Sequence, residues 1–358
     1  MEPAATFHIG SFVAHTGHMR SPTDRLPRKR RALASLAGAT LVATLAIGGC
    51  GSPVSTTTGS PIAAGTSSPA GPSILTPVAT VTGTATNSPS ATASGGIPAF
   101  RHIYVIIMEN KEYNRIIGAS QAPYLNSLIA RYGLSTNFYA ETHPSEPNYI
   151  ALTSGGLQGT TTDGTYDLPA PNLFDQIEAS GRTWHAYAQG YPGGCFLKFQ
   201  ATAVADGPGA VGEYVRKHNP AISYKSISGN PARCANITRL TGFDPAAADF
   251  EMIIPNQINA MHSGSVAAGD AFLKVFMPQI LDSPAFDASV VFITWDEGDT
   301  DAKGGGHIAT VVLSPGMTPG AHYDGPSTHY SMLRTIEQAW GLPFLGEAGN
   351  AAPMALPY

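Results

Sequence analysis

The chain has 358 residues, 43% hydrophobic and 13% charged, with a formal charge of −5. Residues 1–50 hold six of the twenty Lys/Arg (Arg20, Arg25, Arg28, Lys29, Arg30, Arg31) and two of the twenty-five Asp/Glu (Glu2, Asp24), which leaves −9 on the remainder. An acidic body excludes a basic nucleic-acid binder, whose phosphate contacts need clustered Lys/Arg, and a mean hydropathy of −0.02 with a single apolar run excludes a polytopic membrane protein.

The basic run Arg28–Arg31 is followed by the uncharged, small-residue stretch 32–49 and by Cys50. A positive segment, an apolar core and small residues before a cleavage point make an export signal. With the Cys it is similar to a bacterial lipobox, so residues 1–50 are expected to be a lipoprotein signal peptide and Cys50 the lipidated first residue of the mature chain. The alternative is an uncleaved membrane helix, for which the run is only just short. Either way the body is expected outside the cell, anchored to the outer face of its membrane or released from it. Residues 51–98 contain no Asp, Glu, Lys, Arg or aromatic residue. Such a composition cannot bury enough apolar surface to fold, and as a coil it reaches roughly 35–40 Å. In an exported domain the remaining pair, Cys195 and Cys234, is expected to form a disulfide.

From residue 99 to 358 strand and helix signals alternate. His102–Met108 is a near-continuous apolar run, the pattern of a parallel strand covered on both faces. Helical spacing follows at 124–132 and 172–179, then short strand signals at 183–188 and 250–254 and a long amphipathic helix at 266–281. Ser289–Trp295 is a second buried strand, and a strand at 308–313 and a helix at 330–340 close the chain. This alternation predicts one α/β domain with a doubly wound, mostly parallel sheet and helices on both faces. The Gly- and Pro-rich stretch 195–249 carries the weakest signal and is expected as an insertion over the site.

In open parallel sheets ligands bind beyond the carboxyl ends of the strands. His102–Met108 runs into Glu109-Asn110, and Ser289–Trp295 into Asp296-Glu297. Two oxygen-rich pairs at one edge make a hard-ligand site for a divalent cation, without which the carboxylates repel one another. The third element is His143-Pro144-Ser145-Glu146-Pro147-Asn148-Tyr149. Ser145 stands just ahead of a Pro suited to a helix's first turn, so it is expected as an N-cap. Beside a cation and at a helix N-terminus, the same hydroxyl can serve as a nucleophile toward phosphorus.

These motifs, with Lys217-His218-Asn219-Pro220, Pro255-Asn256 leading to His262, Thr294-Trp295-Asp296-Glu297 and the closing Thr328–Glu337, resemble the phosphoesterase family of bacterial phospholipases C and acid phosphatases. That family is a branch of the alkaline phosphatase superfamily, and the likeness runs in order over residues 100–340. The resemblance implies an alkaline-phosphatase-like fold and a single phosphoesterase domain over 99–358. It implies a metal held by Glu109, Asn110, Asp296 and Glu297, and Ser145 as nucleophile. A sulfatase would carry Arg where Asn148 stands, which disfavours sulfate esters. The Asp usual two places before His262 is Ala260 here, which favours one metal ion; Ca, Mg, Mn and Zn all remain open. His143 and His329 are expected in catalysis, one of them as proton donor, and His218, His262, His307 and Asn148 as phosphate-binding groups. Gly304–Gly306 is either a backbone cradle for phosphate or a flexible loop.

The expected activity is hydrolysis of phosphate monoesters, as in acid phosphatases, on a small phosphate ester. Phospholipase C action on a phospholipid is the alternative, since a lipid tether keeps the enzyme near bilayers. A lipoprotein that binds an anionic ligand through a cation without cleaving it is a rival from another class. A serine esterase is disfavoured because no Gly-x-Ser-x-Gly elbow occurs.

Overall fold

The computed structural model describes residues 96–356. The expected signal peptide, Cys50 and the expected tether as far as residue 95 lie outside the described residues. The chain divides into two units after Val81, and everything below concerns the second.

The run His102–Met108 forms strand β1, and all seven residues are buried. Side chains alternate faces along a strand, so one without an exposed position needs cover on both sides. β1 lies near the middle of an eight-stranded sheet, joined by β2 (Gly133–Tyr139), β3 (Trp184–Ala188), β6 (Ile237–Thr238), β7 (Phe250–Ile254), β8 (Ser289–Trp295), β9 (His307–Leu313) and β10 (Ala321–Tyr323). Strands β4 (Gln200–Val204) and β5 (Gly212–Val215) form a separate antiparallel pair. The order across the main sheet is β10-β2-β9-β8-β1-β7-β3-β6. β9 alone runs against both its neighbours, and the other pairs are parallel. From β1 the chain reaches β2 on one flank and then β3 on the other, so the crossovers wind both ways around the centre, as expected of a doubly wound sheet.

Among the described residues five helices have seven residues or more: α1 (Pro123–Arg131), α2 (Ser145–Ser154), α3 (Leu173–Ala179), α4 (Val266–Phe276) and α5 (His329–Trp340). α1 packs on α4 and α2 on α5. Asn172 caps α3 by accepting from Asp175 N, the local chemistry that stops a helix from fraying. Helix α2 is buried on every side and ends at Gly155, where a Cβ would lie 2.0 Å from Leu345 O. Backbone conformation adds to that constraint, since φ there is +68°, so glycine is required.

Three expectations change. The helix predicted over 266–281 is broken: α4 ends at Phe276, and Pro278 opens a separate turn to Leu281, because Pro lacks an N–H and clashes with the preceding turn. β2, Gly-Leu-Ser-Thr-Asn-Phe-Tyr, showed no apolar run and was not predicted as a strand. The stretch 195–249, which carried the weakest signal, holds the β4–β5 pair and β6, while the Cys195–Cys234 disulfide within it forms as expected.

Two glutamates are buried away from the carboxyl edge. Glu251 lies in β7 and Glu337 in α5, both 0% exposed, and burial is the first cause that pushes each pKa to about 8. One carboxyl oxygen of each has no hydrogen-bond partner among the described residues, as suits a neutral acid. Folded chains therefore hold more protons than unfolded ones between the ordinary carboxylate value near 4.5 and about 8. Unfolding free energy falls as pH rises through that window. Each group contributes up to about 1.4 kcal/mol per pH unit, so urea unfolding shows the domain more stable at pH 5 than at pH 8 by on the order of a few kcal/mol. Glu251→Gln reduces that slope; a slope unchanged in this variant removes the explanation.

Candidate active site

β1 and β8 are adjacent and parallel, with Met108 opposite Trp295 at their ends. The next residues, Glu109 and Asp296, therefore emerge side by side at the carboxyl edge, and the ladder continues one step, with Asp296 N donating to Met108 O at 3.0 Å. Asn110 turns the chain away with φ +48°, a left-handed conformation that Asn tolerates. Its backbone N–H donates to Asp296 Oδ1 at 3.0 Å, and its side-chain amide donates to Glu297 Oε1. The four residues expected on a metal are thus gathered at one point, and Glu109, Asp296 and Glu297 are all buried.

β2 ends at the same edge and delivers the loop 140–144, closed by a cis His143–Pro144 bond, to helix α2. Ser145 is the first residue of that helix, and Pro144 occupies the capping position. The expectation of a capping Ser is corrected: its hydroxyl caps nothing and lies 3.3 Å from both Glu109 Oε2 and Glu297 Oε1. A helix N-terminus carries partial positive charge, so the buried Ser145 hydroxyl stands at the positive end of α2, where Glu146 N donates to Asp163 Oδ1 at 3.1 Å.

Burial is the main reason the Glu109 pKa lies far above its ordinary value, with the Asp296 charge adding to it. Glu297 is pushed up to about 7 by burial and then by Asp296, against hydrogen bonds from His143 and Asn110. Three buried carboxyls thus stand together at one edge, an arrangement that suits a cation site. Asp296 Oδ2 and His218 Nε2 have no hydrogen-bond partner among the described residues. His218 Nε2 lies only 3.1 Å from Glu109 Oε1, near without hydrogen-bond geometry. Ligand atoms of Glu109, His218 and His262 all lie within 4.8 Å of one another. Both rings are driven toward the neutral form a metal ligand needs, by burial first and then by the Lys217 charge. The donor set fits a divalent cation, and His218 and His262, expected on the phosphate, belong with Glu109 in the group able to hold it.

The remaining predicted residues are held elsewhere. His143 touches the site through Glu297: Nδ1 is 2.6 Å from Glu297 Oε2 and Nε2 is 3.0 Å from Thr300 O. Burial lowers its pKa, but Thr300 O and Glu297 outweigh that and raise it overall. His329 has both ring nitrogens engaged, by Glu141 and by Trp295 O, so it braces the end of β8. His307 pairs with Thr136 O at 3.0 Å and is stacked by Tyr113 and Tyr139. Asn148 is consumed by the loop 140–144, accepting from Glu141 N and Thr142 N and donating to Thr142 O. Gly304–Gly306 packs on that same loop: a Cβ on Gly305 would meet Thr142 O at 2.5 Å, so this is a close backbone approach that shapes the loop.

Sequence reasoning missed Tyr149, whose hydroxyl donates to Glu109 Oε1 and whose ring stacks on His218 at 5.5 Å. Its signal was the spacing: i+4 from Ser145 puts both on one helix face. It also missed Glu112, which accepts from Asp299 N and His307 N at 2.8 and 2.9 Å and pins the two loops beside the site. Because His143 orients Glu297, His143→Ala is expected to lower turnover about 10–100-fold, the usual cost of losing a group that orients a ligand, with KM changed less than kcat. Equal kcat in the variant removes that role.

A buried hydroxyl at a helix N-terminus, among carboxylates at the carboxyl edge of a mostly parallel sheet, is the layout of a hydrolytic site for an anionic ester. The chain belongs to the Phosphoesterase family, whose model matches residues 119–343. It is 33% identical over 264 residues to a phosphatidylinositol-3-phosphatase of Mycobacterium tuberculosis, covering 73% of this chain and 84% of that one. An acid phosphatase of Aspergillus fumigatus is 30% identical over 259 residues, covering 69% of this chain and 56% of the fungal one, so the chain spans little more than half of that relative. Among solved structures, a member of the alkaline phosphatase superfamily from Vibrio parahaemolyticus superposes with a TM-score of 0.47 at 13% identity, covering 72% of this chain and 71% of that one.

Proposed function

We propose that this phosphoric ester hydrolase cleaves phosphate monoesters through a phosphoserine on Ser145. The observation that carries the reading is the Ser145 hydroxyl, buried at the first position of α2 and 3.3 Å from both Glu109 and Glu297. Glu109, Asp296 and Glu297, with His218 and His262, would hold one divalent cation. Bound there, a cation acidifies the serine hydroxyl and offsets phosphoryl charge.

The chain's own residues do the rest. Glu109 or Glu297 takes the Ser145 proton as Oγ attacks phosphorus in line. The P–O bond to the leaving group breaks, and the departing oxygen takes up a proton. The positive end of the α2 dipole would offset the charge that gathers on the phosphoryl oxygens. Water then attacks the phosphoseryl phosphorus, which releases inorganic phosphate and restores the hydroxyl. His143 holds Glu297 in register, and Tyr149 holds Glu109.

Turnover of p-nitrophenyl phosphate, with little on p-nitrophenylphosphorylcholine, is the expected result with a divalent cation supplied. The opposite preference assigns phospholipase C action, and failure on both sinks the reading. The leader residues and the Cys195–Cys234 disulfide support export with a lipid anchor on Cys50. Cys50→Ser is expected to release the protein from the membrane fraction; retention there argues for an uncleaved helix. No helix of the described residues is long and apolar enough to cross a membrane.

A further inference from the structure

The segment leaving β1 and the turn that delivers His262 are fastened to each other through backbone carbonyls. Glu109 N donates to Ala260 O at 2.8 Å. Two residues on, the Lys111 ammonium donates to Met261 O at 2.8 Å and to Asn110 O at 2.9 Å. Residues 109–111 thus hold two consecutive carbonyls of the turn whose next residue is His262. Both carbonyls on the ammonium belong to residues with left-handed backbone, Asn110 at φ +48° and Met261 at φ +78°. Asn tolerates that region through its short polar side chain, whereas in Met it persists only where the surroundings over-determine it. They do so here. The Met261 side chain is buried and packs so closely on α4 that a Cβ on Gly269 would lie 2.4 Å from its Cε, and Met261 N donates to Ile258 O at 3.2 Å.

Lys111 offers a cation no lone pair, since an ammonium carries three N–H donors and no acceptor. Its contacts fall instead on the backbone beside two groups that would bind one. Asn110 is among the residues expected on the metal, and a ligand atom of His262 lies within 4.8 Å of those of Glu109 and His218. We propose that Lys111 is a positioning residue: by joining Asn110 O to Met261 O it holds the left-handed turn at Met261 and so presents His262 to the cation. The inference rests on the reading of this edge as a cation site with His262 among its ligands.

The sign of one measurement separates this role from plain electrostatics. The Lys111 charge acts on Asp299, Asp296 and Glu109, so it is a positive charge close to the carboxylates of the site. By Coulomb's law alone, Lys111→Gln removes a repulsion and tightens cation binding. A positioning role gives the opposite sign: Kd rises about 10–100-fold, the usual cost of losing a group that orients a metal ligand. The test titrates calcium, magnesium, manganese and zinc ions one at a time into the chelator-stripped full chain and carries the ion bound most tightly by the parent through the variants. Lys111→Arg, which keeps the charge and the donors, is expected to recover most of the affinity. Hydrogen exchange of the stripped proteins supplies a readout free of cation and turnover: in Lys111→Gln, amides over 258–264 exchange faster while those of β1 and β8 keep their protection. Equal or tighter cation binding by Lys111→Gln, or unchanged exchange over 258–264, overturns the inference. Loss of protection across β1 and β8 as well assigns Lys111 to the fold at large and overturns it too. A parent that binds none of the four ions defeats the cation reading itself, an outcome distinct from the others.

Discussion

Ser145→Ala is expected to lower phosphatase turnover by on the order of 10⁴-fold, the scale on which losing a covalent nucleophile acts, while the fold survives. Among the described residues the hydroxyl's hydrogen-bond partners are Glu109 and Glu297, each at 3.3 Å. Those groups repel one another in the absence of a cation, so little stability is lost with it. Neither the cap of α2 nor its packing depends on the hydroxyl, because Pro144 stands at the capping position and the helix is buried by its other side chains. Two measurements decide the matter. Thermal unfolding of the variant stays close to that of the parent, and acid quenching during turnover, followed by intact mass, finds a phosphate adduct in the parent and none in the variant. A variant retaining a tenth of the parent rate assigns the hydroxyl a capping or packing role and favours direct attack by water. A variant that keeps ligand binding in a protein that turns nothing over returns the chain to the non-catalytic rival.

Chelation of divalent cations is the second large effect: activity is lost and the melting temperature falls. Glu109, Asp296 and Glu297 lie buried at one edge, and the raised pKa values of Glu109 and Glu297 have burial and then the Asp296 charge as their leading causes. A cation that binds only the folded chain adds about 2.7 kcal/mol at a hundred times its dissociation constant. For a domain of this size, removing it lowers Tm by roughly 5–10 °C. Glu109→Gln takes away one charge and one ligand atom, so its melting temperature responds less to the chelator than the parent's. Identical melting curves with and without chelator, at full activity, exclude a metal at this edge and leave the buried carboxyls without a partner. Restoring activity with Ca, Mg, Mn or Zn one at a time then identifies which ion the donors accept.

Much of this site is legible because its key residues directly follow strands with strong local signals. His-Ile-Tyr-Val-Ile-Ile-Met and Ser-Val-Val-Phe-Ile-Thr-Trp are too apolar to be anything but buried, and Glu109 and Asp296 are the next residues in each. Any parallel pairing of those runs brings the two carboxylates together. Ser145 was legible for a similar reason, since the Pro-rich segment around it can only begin a helix. What stayed hidden depends on strand order and register. β2 was invisible because Gly, Ser, Thr and Asn interrupt its apolar pattern, and the reversed direction of β9 leaves no mark on its composition. The histidines divide the same way: His329 and His307 sit within conspicuous motifs, yet their ring nitrogens are taken by Trp295 O and Thr136 O, partners far away in the chain.

By itself the sequence determined an acidic body, the two buried strands, a helix opening at Ser145 and carboxylates at strand ends, because each of these follows from side-chain chemistry within a few residues. Only the tertiary structure decided that His218 and His262 converge on Glu109 and that Tyr149 and His143 brace the carboxylates. Those groupings join segments up to 188 residues apart, as between Glu109 and Glu297, and their geometry is set by sheet order and register, which local sequence patterns do not encode.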